Sequence, residues 1–171
     1  MQPVERLSRE EFQSLPHGAR VVLAARCARR VLPLLVQNWP DAPEEELERA
    51  LALVEQSARQ ARVDPRLAEV SAAVNSLVER SAQSSNQSEP ASFIRGRAAR
   101  AVAAAALTAC TPPEQSGPQA FAAYEYAKAA AGCAYLVLFD PGIRRDFDCL
   151  RDAALREHWT DDSAVPAGVL P

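Results

Sequence analysis

Apolar residues in the first half of the chain return every three or four positions. Leu47, Ala50, Leu51, Val54, Ala58 and Ala61 form one such stripe, with polar residues filling the positions between them. That spacing matches the 3.6-residue turn of an α-helix and predicts an amphipathic helix over about 42–62. Val21, Ala24, Ala28, Val31, Leu35 and Trp39 carry the same period and predict a helix over about 16–38, with Arg26, Arg29 and Arg30 facing elsewhere. Leu67, Val70, Val74, Leu77 and Val78 predict a third helix running to about Ala82, and Ile143, Phe147, Leu150, Ala154 and Leu155 a last one starting at Asp140-Pro141 and ending near Trp159. No alternating strand pattern competes with these stripes.

Helix-start signals agree with the periodicity. Ser8 with Glu11 fits a capping box for a short first helix, in which a hydroxyl and a carboxylate satisfy amides that the first turn leaves unpaired. Asp41, Pro43 and the acidic run Glu44-Glu45-Glu46 look like a cap followed by a first turn whose charge complements the helix dipole. Asp64-Pro65 repeats the device. Pro33 falls inside the 16–38 helix and is expected to kink or split it near Leu32, because proline removes an amide and crowds the preceding turn.

Two further stretches are helical by composition rather than by stripe. Arg97 to Cys110 and Ala120 to Ala134 are strong helix formers with little side-chain bulk, suited to close approach by their neighbours. They predict helices over about 91–110, stopped by Pro112-Pro113, and over about 118–138, started after Ser116-Gly117-Pro118. The polar run 83–90 reads as a loop between two three-helix halves, and residues 160–171 as an extended tail. The fold class expected is all-α, a single-domain bundle of about six main helices with a short N-terminal helix, with Trp39 and Trp159 anchoring helix ends.

Composition narrows the function more than it identifies it. A chain of 171 residues can bury roughly two thirds of its unfolded surface without disulfides or metal. Cys27, Cys110, Cys133 and Cys149 are widely spaced within apolar helical patterns and read as small buried hydrophobes with free thiols. The start lacks a secretion pattern and the most apolar stretch, Ala129 to Phe139, is too short to span a bilayer, so the chain is read as cytoplasmic. Net charge is −3, but residues 41–90 hold ten acids against five Arg while residues 1–40 hold six Arg against three acids. A nucleic-acid binder would show a stronger basic excess.

Few residues offer chemistry. His158 with Asp161 and Asp162 is one arrangement fit for a hard metal or a general base, and the simpler reading makes one of the aspartates a turn cap. The cysteines lack C-x-x-C spacing, and no Gly-rich loop accompanies Lys128, so neither zinc nor a phosphate cradle is supported and no cofactor is called for. Arg26, Arg29 and Arg30, with Arg95, Arg97 and Arg100, could make a basic face for nucleic acid or a small ligand. The favoured reading pairs them with the acidic segments. Asp41, Glu44, Glu45 and Glu48, together with Asp146, Asp148 and Asp152, are the residues suited to a basic protein partner.

The stretch from Ala19 to Leu35, continued by Trp39-Pro40-Asp41 and by alanine-rich helices, resembles all-helical immunity proteins that accompany bacterial polymorphic toxins. The segments Arg144 to Leu150 and His158 to Pro166 are similar to a tail found in alanine-rich bacterial helical proteins. The resemblance implies a non-enzymatic cytoplasmic protein whose work is to bind and inhibit a toxin or defence effector, with no membrane association.

Overall fold

The computed structural model describes residues 6–83 and 89–170, and within them the chain is an all-α bundle. Seven helices follow one another: α1 (Arg9–Ser14), α2 (His17–Gln37), α3 (Glu44–Gln60), α4 (Arg66–Gln83), α5 (Glu89–Cys110), α6 (Pro113–Cys133) and α7 (Phe139–Glu157). Six are long, and α1 is the short N-terminal helix. Its capping box is formed as expected: the Ser8 amide donates to Glu11 Oε2 at 2.8 Å and the Glu11 amide to Ser8 Oγ at 3.2 Å.

α5 lies at the centre because its side chains are small enough to let four neighbours in. It packs on α6, α2, α4 and α3, and Ala98, Ala99, Ala101 and every alanine from 103 to 106 are buried. α2 is the second central helix, touching α5, α6, α3 and α7. Pro33 does not split it. The proline is exposed while Val31, Leu32 and Leu35 are buried, so packing holds the helix through the missing amide. Phe12, Phe121, Tyr124 and Phe139 close one end of the core, with ring centroids 5.6–6.2 Å apart.

Several ends differ from the pattern. Asp41 does not cap α3: it is exposed, Pro43 holds the cap position without a side-chain bond, and the Ala42 amide turns back to the Trp39 carbonyl at 2.9 Å. Asp64 does serve α4, accepting from the Arg66 amide at 2.9 Å. The expected loop at 83–90 is shorter, since Gln83 ends α4 and Glu89 already begins α5; residues 84–88 lie outside those described. α6 begins at Pro113, five residues early, because Ser116 and Gly117 are buried in the helix against α1 rather than forming a linker. A Cβ on Gly117 would stand 2.9 Å from Gln13 Cγ. α6 also stops at Cys133, leaving a turn where helix was expected up to 138.

Leu155 is 69% exposed, so it is not part of the core, and Ala61 leaves the α3 stripe by taking a left-handed conformation at φ 49°. Of the cysteines only Cys27 is fully buried, where desolvation pushes its thiol pKa far up; Cys110 and Cys149 are half-buried and Cys133 is exposed. Trp39 is buried as an anchor, whereas Trp159 is half-buried and donates its indole N–H to Glu157 at 3.0 Å.

Candidate interaction surface

The acidic residues do not form one surface. Asp41, Glu44, Glu45 and Glu48 are all exposed at the head of α3, with Glu45 paired to Arg49 at 3.1 Å and Glu48 to Arg29 at 2.5 Å. Arg29 also donates to Glu55 at 2.7 Å. Partial burial weighs against its charge, yet the bonds to Glu55 and Glu48 prevail and hold its pKa above the ordinary value. On α7, Asp146 is only 2% exposed and accepts from Arg30 at 2.8 Å. A carboxylate so placed holds α7 to α2 and is removed from any docking surface. Asp148 and Asp152 stay accessible and share Arg151, at 3.2 and 3.1 Å. α3 and α7 each pack on α2. The two acidic sets are therefore clamped separately, one through Arg29 and the other through Arg30.

The arginines are spent in the same way. Arg95 is 1% exposed within the core, and the Arg97 guanidinium lies 4.9 Å from the Phe93 ring centroid and 5.7 Å from that of Tyr126. Arg100 is exposed. With Arg95 buried, Arg97 stacked and Arg29 and Arg30 committed to carboxylates, most of these guanidiniums are already engaged.

His158 and its two aspartates separate. His158 ends α7 in a left-handed conformation, φ 55°, and is exposed. Asp161 turns instead to the start of α2, where its Oδ1 accepts the His17 amide at 2.7 Å and lies 3.5 Å from Arg20 Nη2. The imidazole brought near the tail is thus His17, whose Nδ1 is 3.0 Å from Ser116 Oγ. Burial, and next the Arg20 charge, lower its pKa below the usual histidine value, with Asp161 only partly opposing. Sequence gave one signal for this pairing: α2 starts at Pro16-His17 without a Ser, Thr, Asp or Asn cap, so its amides need a remote acceptor. Among the described residues no group of three or more His, Cys, Asp or Glu side chains could hold a metal.

An open, largely apolar groove lies between α3 and α4. α4 packs chiefly on α5 and α3 on α2, so the two helices touch each other sparingly. The space between them is about 490 Å³, floored by Ala50, Leu53, Val70, Ala73, Val74 and Leu77 and rimmed by Glu46, Arg49, Gln56 and Arg66. Leu53 is half-buried, and so is Val70 despite its place in the expected stripe, because the face that α4 turns to the core runs through Leu67, Ser71, Val74, Leu77 and Ser81. The acidic first turn of α3 stands at one end, where Glu46 and Arg49 line the groove and Arg49 also bonds Glu45 at 3.1 Å. At the other end Asp64 is held down to about 2 by its bond from Arg66 and keeps its charge at any physiological pH.

No protein-family model, curated protein or solved structure matches the chain.

Proposed function

We propose that this protein acts without catalysis, by binding another protein, and that the α3–α4 groove is where it does so. The observation that carries the reading is the groove's composition: an apolar floor left open to solvent between two splayed helices. A floor of that kind accepts the apolar face of an amphipathic helix. The occupant is a helix of a protein partner with basic residues at the end that meets Glu44, Glu45 and Glu46. The resemblance to immunity proteins of bacterial toxin systems supports a toxin or defence effector as that partner, bound in the cytoplasm. No helix among the described residues is long and apolar enough to cross a membrane. A nucleic-acid role is the weaker reading, since of the arginines that suggested it Arg29 and Arg30 bind carboxylates, Arg95 is buried and Arg97 stacks on rings.

The test uses calorimetric titration with the product of the neighbouring gene. Wild-type protein is expected to bind it stoichiometrically, and Ala73→Arg, at an exposed groove position, to weaken binding by a factor of about ten or more. Charge reversal at Glu44 and Glu45 is expected to slow association, more at low salt than at high. No binding by the wild type, or undiminished binding by Ala73→Arg, refutes the groove as the site.

A further inference from the structure

The tail lies across α2 and α3 and walls a hollow that three arginines share. The Val165 amide donates to the Ala58 carbonyl at 3.0 Å, and the Val165 side chain is buried. Gly18 makes room for it: a Cβ there would stand 3.0 Å from Val165 Cγ2 and 3.1 Å from the Ser163 carbonyl oxygen. Gly168 then turns the chain at φ 89°, a value that glycine adopts without strain, and Val169 and Leu170 pack against the core. Between this segment and the two helices is a space of about 200 Å³, lined by Arg26 and Arg29 of α2, by Glu55 and Arg59 of α3, and by tail residues that include Gly168.

The charges in this lining do not balance. Glu55 and Arg59 have the i,i+4 spacing of an ion pair, yet Glu55 turns both oxygens to Arg29, at 2.7 and 3.3 Å. Arg59 is exposed and forms no ion pair among the described residues. Three guanidiniums thus line the hollow with one carboxylate, and that carboxylate is committed to one of them. Salt screens charges gathered in a walled hollow less than charges on an open face, so the positive excess disfavours the fold until an anion offsets it. The guanidinium fork matches the oxygens of carboxylates and phosphates, and its five N–H groups leave Arg29 donors beyond those it gives to Glu55 and Glu48. A space of this size, closed on one side by the tail, suits one small anion better than a polymer backbone. We propose that the hollow between α2, α3 and the tail binds the oxyanion group of a small molecule, a phosphate or a carboxylate, with Arg59 as the cation on which binding most depends. This site is separate from the α3–α4 groove and stands or falls independently of it.

Calorimetric titration of the full chain with inorganic phosphate and, separately, with acetate, in chloride buffers of matched ionic strength, tests this. At least one of the two is expected to bind at a single saturable site; the tighter of them tells a phosphate ester from a carboxylate as the natural ligand. Arg59→Gln is expected to raise the dissociation constant at least about tenfold, as the loss of a charge-assisted bond does, with helical circular dichroism unchanged because the side chain is exposed. Arg62→Gln removes an equal charge three residues on and outside the hollow, and is expected to leave binding unchanged. Saturable binding of neither anion overturns the proposal, as does binding that Arg59→Gln leaves intact or that Arg62→Gln weakens as much.

Discussion

Replacing Arg20 by methionine should be among the more damaging single changes in this protein, although the residue lies outside the α3–α4 groove. Arg20 is 9% exposed, and its guanidinium joins three elements. Nε donates to the Leu15 carbonyl at 2.6 Å at the α1–α2 corner; Nη1 donates to the Pro113 carbonyl and, at 2.9 Å, to Ser116 Oγ at the start of α6; Nη2 reaches Asp161 of the tail at 3.5 Å. Methionine fills similar volume and makes none of these bonds. The Leu15 carbonyl loses its donor in a poorly hydrated place, at about 1–3 kcal/mol, while the Pro113 carbonyl keeps the Ser116 hydroxyl at 3.0 Å. The contact with Asp161 adds little, since that carboxylate is 46% exposed and an exposed pair contributes about 1 kcal/mol at most. The expected loss is about 2–3 kcal/mol, or roughly 4–12 °C in Tm for a chain of this size. Urea denaturation followed by circular dichroism measures it. Asp161→Ala is the companion variant and should cost only about 1 kcal/mol, for the α2 cap it removes. If Arg20→Met costs under about 1 kcal/mol, or no more than Asp161→Ala, the guanidinium is not the junction described above.

Three other outcomes follow from the geometry. The His17 pKa is lowered by folding, so the unfolded chain takes up its proton first; the associated stability is complete above the unfolded value of about 6.5 and is lost as pH falls through the folded one. Urea midpoints should fall below that pH in wild type and less in His17→Gln, and parallel curves would contradict the assignment. Ala61→Gly should stabilise by about 0.5–1 kcal/mol, because it relieves the left-handed conformation at the end of α3; a lowered Tm would refute this. Trp39→Ala should cost about 3–5 kcal/mol, as expected for a large side chain only 7% exposed, and an unchanged Tm would remove Trp39 from the core.

The helices were legible wherever a stripe met a clear stop. Leu47 to Ala58 and Ile143 to Leu150 are buried in the order their spacing predicts, and the Ser8–Glu11 box could be read from four residues. Ends decided by tertiary contact were not legible. Gly117 and Pro118 look like a break until α1 is known to press on that face, and nothing local stops α6 at Cys133. Arg95 and Asp146 were read as surface charges because sequence shows neither the burial of Arg95 nor the distant Arg30 that Asp146 meets. The site at His17 was hidden for the same reason, its carboxylate lying 144 residues away. Even the groove is visible only by default, as the side of α3 and α4 that neither helix turns to α2 or α5.

The alanine content of α5 links these observations. A central helix without bulk draws its neighbours close, leaving their larger and charged side chains to be accommodated around it. Arg20, Arg29 and Arg30 project from α2 towards three different neighbours, and each is answered by a carboxylate or a carbonyl there. Charge in this fold is thus largely structural, placed where the small-residue core has no bulk to fix the angles between outer helices. Surfaces free for recognition are then those where neither alanine packing nor an arginine clamp operates. The α3–α4 groove is one, because those two helices are joined to the centre rather than to each other. The α6–α7 turn is a second exposed apolar stretch among the described residues, because it projects past the end of the alanine-rich helix that precedes it. Both are apolar, so association at either should depend on buried area, with salt changing the rate at which partners meet more than the strength with which they hold.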